Sequence, residues 1–289
     1  MSNVRYFRFA ILLVLAAALS FSIFLFSKTP SNEGPWRPDQ NLLSDIIFYD
    51  DHVTITNIRD FRYAEGYLPA SSDYLERDYF YEELDQIWFG LSHFGPWGLA
   101  HSFLSFEFSD GSYLVLSIEA RLKAGMTFQP LAGLFRNYSL IYVFATEEDA
   151  IGVRTHATGQ RVLVYPLQAG HERKVALFMD LLRDADELRD APQFYNLIFD
   201  NCLTNLLKHT ALPDSLSMAD LRVLLPGRVD RLTYTLDATP ADIDFQSARE
   251  RATINPEGFS PDSKDFSERI RCGWHGYQGL KFEACVNEL

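Results

Sequence analysis

HSFLSFEF (101–108), SDG (109–111) and SYLVLSIEAR (112–121) decide how this chain folds, because two apolar runs flank an Asp-Gly turn signal and so predict an antiparallel hairpin. Side-chain alternation selects its register. A two-residue Asp110-Gly111 loop would set Leu104 opposite Ser117 and Phe106 opposite Val115, scrambling the apolar and polar faces. A three-residue loop, Ser109-Asp110-Gly111 with Gly111 left-handed, pairs Leu104 with Leu116 and Phe106 with Leu114 on one apolar face. His101, Glu107, Ser117 and Glu119 then share the other face. Glu119 falls opposite His101 with Cβ atoms about 5 Å apart, close enough for the carboxylate to hold the imidazole by its second nitrogen.

A thiol is the natural third member. Cys202 sits in DNCLTN (200–205) at a predicted helix start, where Asp200 or Asn201 caps, Leu203, Leu206 and Leu207 form a stripe, and Pro213 closes the segment. Unpaired N–H groups there favour the thiolate over the thiol. The plainer alternative is a buried structural cysteine. Of the three cysteines, Cys272 and Cys285 lie close together in the last segment, so in an oxidising compartment they pair and Cys202 stays free.

Cysteine, histidine and a histidine-orienting carboxylate are the parts of a thiol acyl-transfer site. His101 draws the thiol proton, Glu119 fixes the tautomer and supports the imidazolium, and the Cys202 thiolate attacks a carbonyl. The Cys202 amide adds to oxyanion stabilisation. Asn201, beside the nucleophile, and Trp97, in Gly95-Pro96-Trp97-Gly98, are expected to contact substrate. Taken singly, His101 also reads as a strand-end histidine satisfied by a neighbour, and Glu119 as an ion-pair partner of Arg121.

His93, His101, His156 and His171 lack HExxH, HxxEH or CxxC spacing, so no metal is expected. Neither a phosphate loop nor GxSxG occurs, which disfavours serine hydrolysis and any cofactor. With 26 basic against 39 acidic residues, the net charge of −13 has the wrong sign for a nucleic-acid partner. The 47% hydrophobic and 14% aromatic content excludes a disordered chain.

Residues 9–27 are uncharged and mostly apolar, about 28 Å long as a helix, against roughly 30 Å of hydrocarbon. Arg5 and Arg8 precede the run, placing the N-terminus in the cytoplasm and the rest outside the inner membrane. Residues 1–28 are therefore read as an anchor, with a cleaved signal as the alternative. Residues 29–49 read as a linker, 50–236 as the main domain, and 237–289 as a polar tail carrying the cysteine pair. Strands are predicted at 52–58, 102–108, 113–119, 140–145 and 161–166, with a helix over 171–188 and less regular structure over 74–85.

NIRDFRY (57–63), FGPWGLAHSFLSFEF (94–108), SIEAR (117–121), IYVFATEEDAIGVRT (141–155) and FYNLIFDNCLTNLL (194–207) together resemble the N-terminal periplasmic domain of the Lnb lipoprotein N-acyltransferase family. The resemblance implies an α+β, circularly permuted papain-like fold, histidine strand first and cysteine helix later, similar to lecithin:retinol acyltransferase and NlpC-type peptidases. It implies Cys202 as nucleophile and His101 as base; Glu119 as the third residue rests on the pairing above. The expected function is a membrane-anchored periplasmic acyltransferase or acyl hydrolase working through an acyl-thioester on a lipid or lipoprotein substrate. An NlpC-type amidase or peptidase with a cell-wall substrate, and a non-catalytic envelope binding module, are the alternatives.

The charge bias around residues 9–27 makes topology testable. A reporter fused to the C-terminus should be active in the periplasm, on protein that stays with membranes. Activity confined to the cytoplasm would contradict the orientation, and a mature chain beginning near Lys28 that washes off membranes would contradict the anchor.

Overall fold

The computed structural model describes residues 2–95, 99–198, 200–209, 229–235 and 238–286. The chain runs α1 (Ser2–Ser27), β1 (Ile46–Phe48), β2 (His52–Glu65), β3 (Leu68–Phe80), β4 (Leu84–His93), β5 (Ala100–Phe108), β6 (Tyr113–Arg121), β7 (Ser139–Ala145), α2 (Glu147–Ala150), β8 (Arg161–Pro166), α3 (His171–Asp190), α4 (Cys202–Leu207), α5 (Val229–Thr235), α6 (Phe245–Ala252) and α7 (Phe266–Arg269). A π-helical turn, Val153–Ala157, lies between α2 and β8.

The 101–121 hairpin has the three-residue register: Leu104 pairs with Leu116 and Phe106 with Leu114, and Gly111 has φ 82°. A glycine tolerates that left-handed conformation without strain. Around this hairpin the sheet is ordered β1-β2-β7-β6-β5-β4-β8, with β3 on β2. The fold is α+β as expected, but the sheet is mixed rather than antiparallel, because β2 and β7 pair in parallel at Arg59 and Ala145. Four strands separate these two in sequence, so no tight turn dictates their relative direction.

Two stretches escaped the periodicity reading. β4 lies between β5 and β8 and is buried along most of its length, so it shows a nearly continuous apolar run in place of alternation. The tyrosine- and acid-rich stretch forms most of β3, a largely exposed partner of β2. Gly90 of β4 has a packing role: the Phe103 ring occupies the space where a side chain would project, 2.1 Å from an added Cβ.

The sheet buries both faces. On one, Leu104, Phe106, Leu114 and Leu116 pack with Phe178, Leu181 and Leu182 of α3 and with Cys202, Leu203 and Leu206 of α4. On the other, Phe103, Val115, Ile141, Val143, Val162 and Val164 pack with Ala150, Ile151 and the tail residues Ile254, Phe266 and Ile270.

The expected linker, 29–49, is instead part of the domain. Asp39 and Gln40 are buried, Arg37 N donates to Leu122 O, and the Arg121 guanidinium donates to the carbonyls of Gln40 and Asn41 while stacking on Trp36 at 4.4 Å. Backbone and amide groups make these contacts, which leaves no apolar period in the sequence. The C-terminal segment is fastened twice. Cys272 and Cys285 form a disulfide while Cys202 remains a free thiol, as cysteine spacing predicts. Next to it Arg271, fully buried between Trp88 and Tyr113, holds Glu147 at 2.5 and 2.8 Å.

Removing one member of that pair strands the other charge in the core. Glu147→Gln should destabilise the protein by about 3–5 kcal/mol in urea unfolding, and Glu147→Met with Arg271→Met should recover much of the loss. A single-variant loss below about 1 kcal/mol, the scale of an exposed pair, would contradict this role.

Candidate active site

α4 begins at Cys202 because Asn201 builds a cap. Its backbone is extended, its Oδ1 accepts from the amides of Leu203 and Thr204 at 2.9 Å each, and Thr204 Oγ1 returns a bond to the Asn201 amide at 2.9 Å. Asn201 Nδ2 donates to Leu197 O at 2.7 Å. The residue is buried and its side chain is engaged in the cap, the role that the sequence offers to Asp200 or Asn201. Trp97 lies outside the described residues.

The Cys202 thiol faces the start of β5. Burial raises its pKa; the Ser102 hydroxyl, the Ser102 amide and the Leu203 amide favour the thiolate without overcoming burial, and Glu119 adds to the rise. Ser102 Oγ is itself buried without closing a conventional hydrogen bond. The expectation of a helix-activated thiolate is thus corrected: α4 has six residues, too short a dipole to outweigh desolvation. Tyr195 is buried close enough for Cys202 to raise its phenol further, after burial has already done so.

His101 and Glu119 are brought together, by a different route from the one the pairing predicts. The β5–β6 ladder ends at Phe103 and Ser117, two residues short of them. Beyond that point His101 Nε2 lies 2.7 Å from Ser117 Oγ, which donates to Glu119 Oε1 at 2.7 Å, and the direct Nε2–Oε1 separation is 3.9 Å. Arg154 Nη2 donates to the same carboxylate oxygen at 3.0 Å, and Gln40 Nε2 to the other at 2.8 Å. Ser117 has one proton and gives it to Glu119, so its oxygen accepts from His101 Nε2–H. This assigns the tautomer: Nδ1 carries the lone pair and has no hydrogen-bond partner among the described residues.

Burial and then Arg154 push His101 down to about 3, against the opposing pull of Glu119. The imidazole is neutral at rest. Burial raises Glu119, but Arg154, His101, Arg59 and the Ser117 hydrogen bond outweigh it and hold the carboxyl well below the usual range. Arg59 is locked by Asp149 at 2.7 Å.

The thiol and the imidazole converge on one strand end without touching. Alternation along β5 sends Ser102 toward α4 and His101 toward the opposite face. Among the described residues no hydrogen bond joins Cys202 to His101. Nor do they contain a group of three or more His, Cys, Asp or Glu placed to hold a metal ion. Sequence reasoning placed Ser117 on the face of His101 and Glu119 without giving it a role, and missed Arg154, Gln40, Ser102 and Tyr195 as members of this cluster. Ser117 had a visible signal, a hydroxyl two residues from Glu119 on the same face; Gln40 had none, lying in an apparent linker.

Residues 70–234 match the family model described as the Lnb N-terminal periplasmic domain. No curated protein and no solved structure matches the chain. The matched span holds His101, Ser117, Glu119, Arg154 and Cys202, whereas Gln40 precedes it.

The charge states predict two titrations. Across roughly pH 5–8, where an ordinary histidine titrates, the imidazole nitrogen signals of His101 should not move. A midpoint near pH 6.5 would contradict the assignment. Alkylation of Cys202 by iodoacetamide should rise only above the ~8.5 of a free thiol, and Glu119→Gln should move that profile to lower pH by removing a nearby negative charge. An alkylation midpoint below 8 in the unsubstituted protein would contradict the buried-thiol account.

Proposed function

The chain belongs to the Lnb N-terminal periplasmic domain family, and on that premise we propose that it is a membrane-anchored periplasmic thiol acyltransferase or acyl hydrolase with a permuted papain-like fold. The observation that carries the reading is the His101–Ser117–Glu119 chain, which leaves Nδ1 as a free base one residue from the Ser102 groups that face the Cys202 sulfur. The order of histidine strand before cysteine helix supports the permuted topology. α1 is the anchor: Tyr6–Ser27 is long and apolar enough to cross a bilayer, and none of it is buried by the domain. The donor is a phospholipid or lipoprotein acyl ester.

In the reaction, the Cys202 thiol gives its proton to His101 Nδ1 and the thiolate attacks the acyl carbonyl carbon. The carbon–oxygen bond to the leaving alcohol breaks, and the imidazolium returns the proton to the departing oxygen. An amine or water then attacks the thioester carbon, loses a proton through the same imidazole, and releases the thiol. Ser117 transmits the carboxylate's support to the imidazolium, while Arg154 keeps Glu119 ionised. Sγ and Nδ1 start on opposite sides of β5, so this step requires the beginning of that strand to move and bring the imidazole to the sulfur.

A binding module is the second reading, favoured by the protonated thiol and by its separation from His101 across β5. Exposure to phospholipid vesicles separates the two. The enzyme reading expects a hydroxylamine-sensitive acyl mass on Cys202, absent from Cys202→Ala and reduced at least 100-fold in rate in His101→Ala. Glu119→Gln should be milder, and the Cys202→Ala/His101→Ala double variant no worse than either single. Cells that function normally with Cys202→Ala would favour the binding module.

A further inference from the structure

The last turns of α1 do not leave the domain untouched. The Phe21 ring lies 5.8 Å from that of Phe135, the Arg136 guanidinium sits over the Phe26 ring at 4.7 Å, and Lys28 Nζ donates to Phe135 O and Asn137 Oδ1 at 3.2 and 2.7 Å. Phe135 and Arg136 belong to the loop joining β6 to β7. Phe21 precedes Ser27 by six residues, so along a helix it lies about 9 Å deeper than the point where α1 ends. If Ser27 marks the membrane surface, whatever packs on Phe21 is below that surface.

The loop is suited to that depth. Leu131 is 74% exposed, and Met126 and Phe135 are each 39% exposed. No acidic residue occurs between Glu119 and Glu147, or before Glu33, in a chain of net charge −13. Lys28, Lys123 and Arg136 stand at this end, where they can meet lipid phosphates while the apolar tips enter the acyl layer.

We infer that the loop over residues 123–137 is inserted into the periplasmic leaflet beside α1, with Leu131, Phe135 and Met126 among the acyl chains. This rests on the anchor reading of α1 and supplies the substrate side of the proposed reaction. The inserted loop is connected to the thiol: Leu197 N donates to Gly133 O at 3.2 Å, Phe128 packs edge-on against Tyr195 at 5.9 Å, and Tyr195 is the phenol that Cys202 perturbs. An acyl ester of the leaflet thus meets the domain at the end that carries the nucleophile.

Full-length Leu131→Cys in a Cys202→Ser background, labelled with an environment-sensitive nitrobenzoxadiazole dye, tests this in vesicles of phosphatidylethanolamine and phosphatidylglycerol. Ser109→Cys is the control, in the turn at the far end of β6, roughly 30 Å away at 3.3 Å per residue. The Leu131 label should be blue-shifted, quenched by brominated phospholipid and shielded from aqueous iodide, with the Ser109 label showing the reverse. Both labels equally open to iodide on membrane-bound protein would overturn loop insertion and leave the anchor intact. Recovery of a mature chain lacking residues 1–28 would overturn the anchor and the insertion together. Neither readout depends on catalysis.

Discussion

The carboxylate of Glu119 is the constraint on which this end of the molecule depends. It is claimed by Arg154 from the π-helical turn, by Ser117 from its own strand and by Gln40 from the N-terminal strap. Two of these partners come from other parts of the chain, so one negative charge fixes the π-helical turn and the strap against β6. An isolated buried carboxylate would protonate; this one stays ionised because a guanidinium and two neutral donors replace the water it lost. The same arrangement sets the imidazole, since Ser117, having donated to Glu119, accepts from His101 Nε2–H.

Arg154 has two opposed effects. It keeps the carboxylate charged, and it helps hold His101 neutral. A base that is neutral at rest is ready to take a proton, and a carboxylate within 3.9 Å stabilises the charge that results. The thiol is also held back, by burial in the packing of α4 against the sheet. The imidazole and the thiol are thus both uncharged in the unliganded protein. The Cys272–Cys285 disulfide leaves Cys202 as a free, buried thiol.

What could be read from sequence followed the physics of pattern. The hairpin register was legible because apolar and polar faces leave one consistent alignment, and the cysteine pairing because two of three thiols lie close together. β4 was not legible, since a strand covered on both faces loses its period of two. The strap over residues 29–49 was hidden for the opposite reason: it binds through backbone and amide groups that carry no hydrophobic signal. At the site, His101 and Glu119 were correctly brought near one another, but Ser117 stands between them because the ladder stops before reaching them. The cap of α4 was legible, since Asp200 and Asn201 both offered one and Asn201 makes it. The helix start and burial act on the thiol in opposite directions, and their balance, which leaves its pKa raised, could not be weighed from sequence.

The reading stands on cooperation between a thiol and an imidazole that approach β5 from its two sides. A crystal structure of the full chain with Cys202 acylated by a fatty acyl p-nitrophenyl ester, the thioester trapped by flash-cooling after p-nitrophenolate has left, would examine that cooperation at the atoms concerned. The account predicts His101 Nδ1 within about 3–3.5 Å of the sulfur, with the Nε2–Ser117–Glu119 chain intact. An acylated Cys202 with the imidazole still on the far side of β5 and no other base against the sulfur would contradict it.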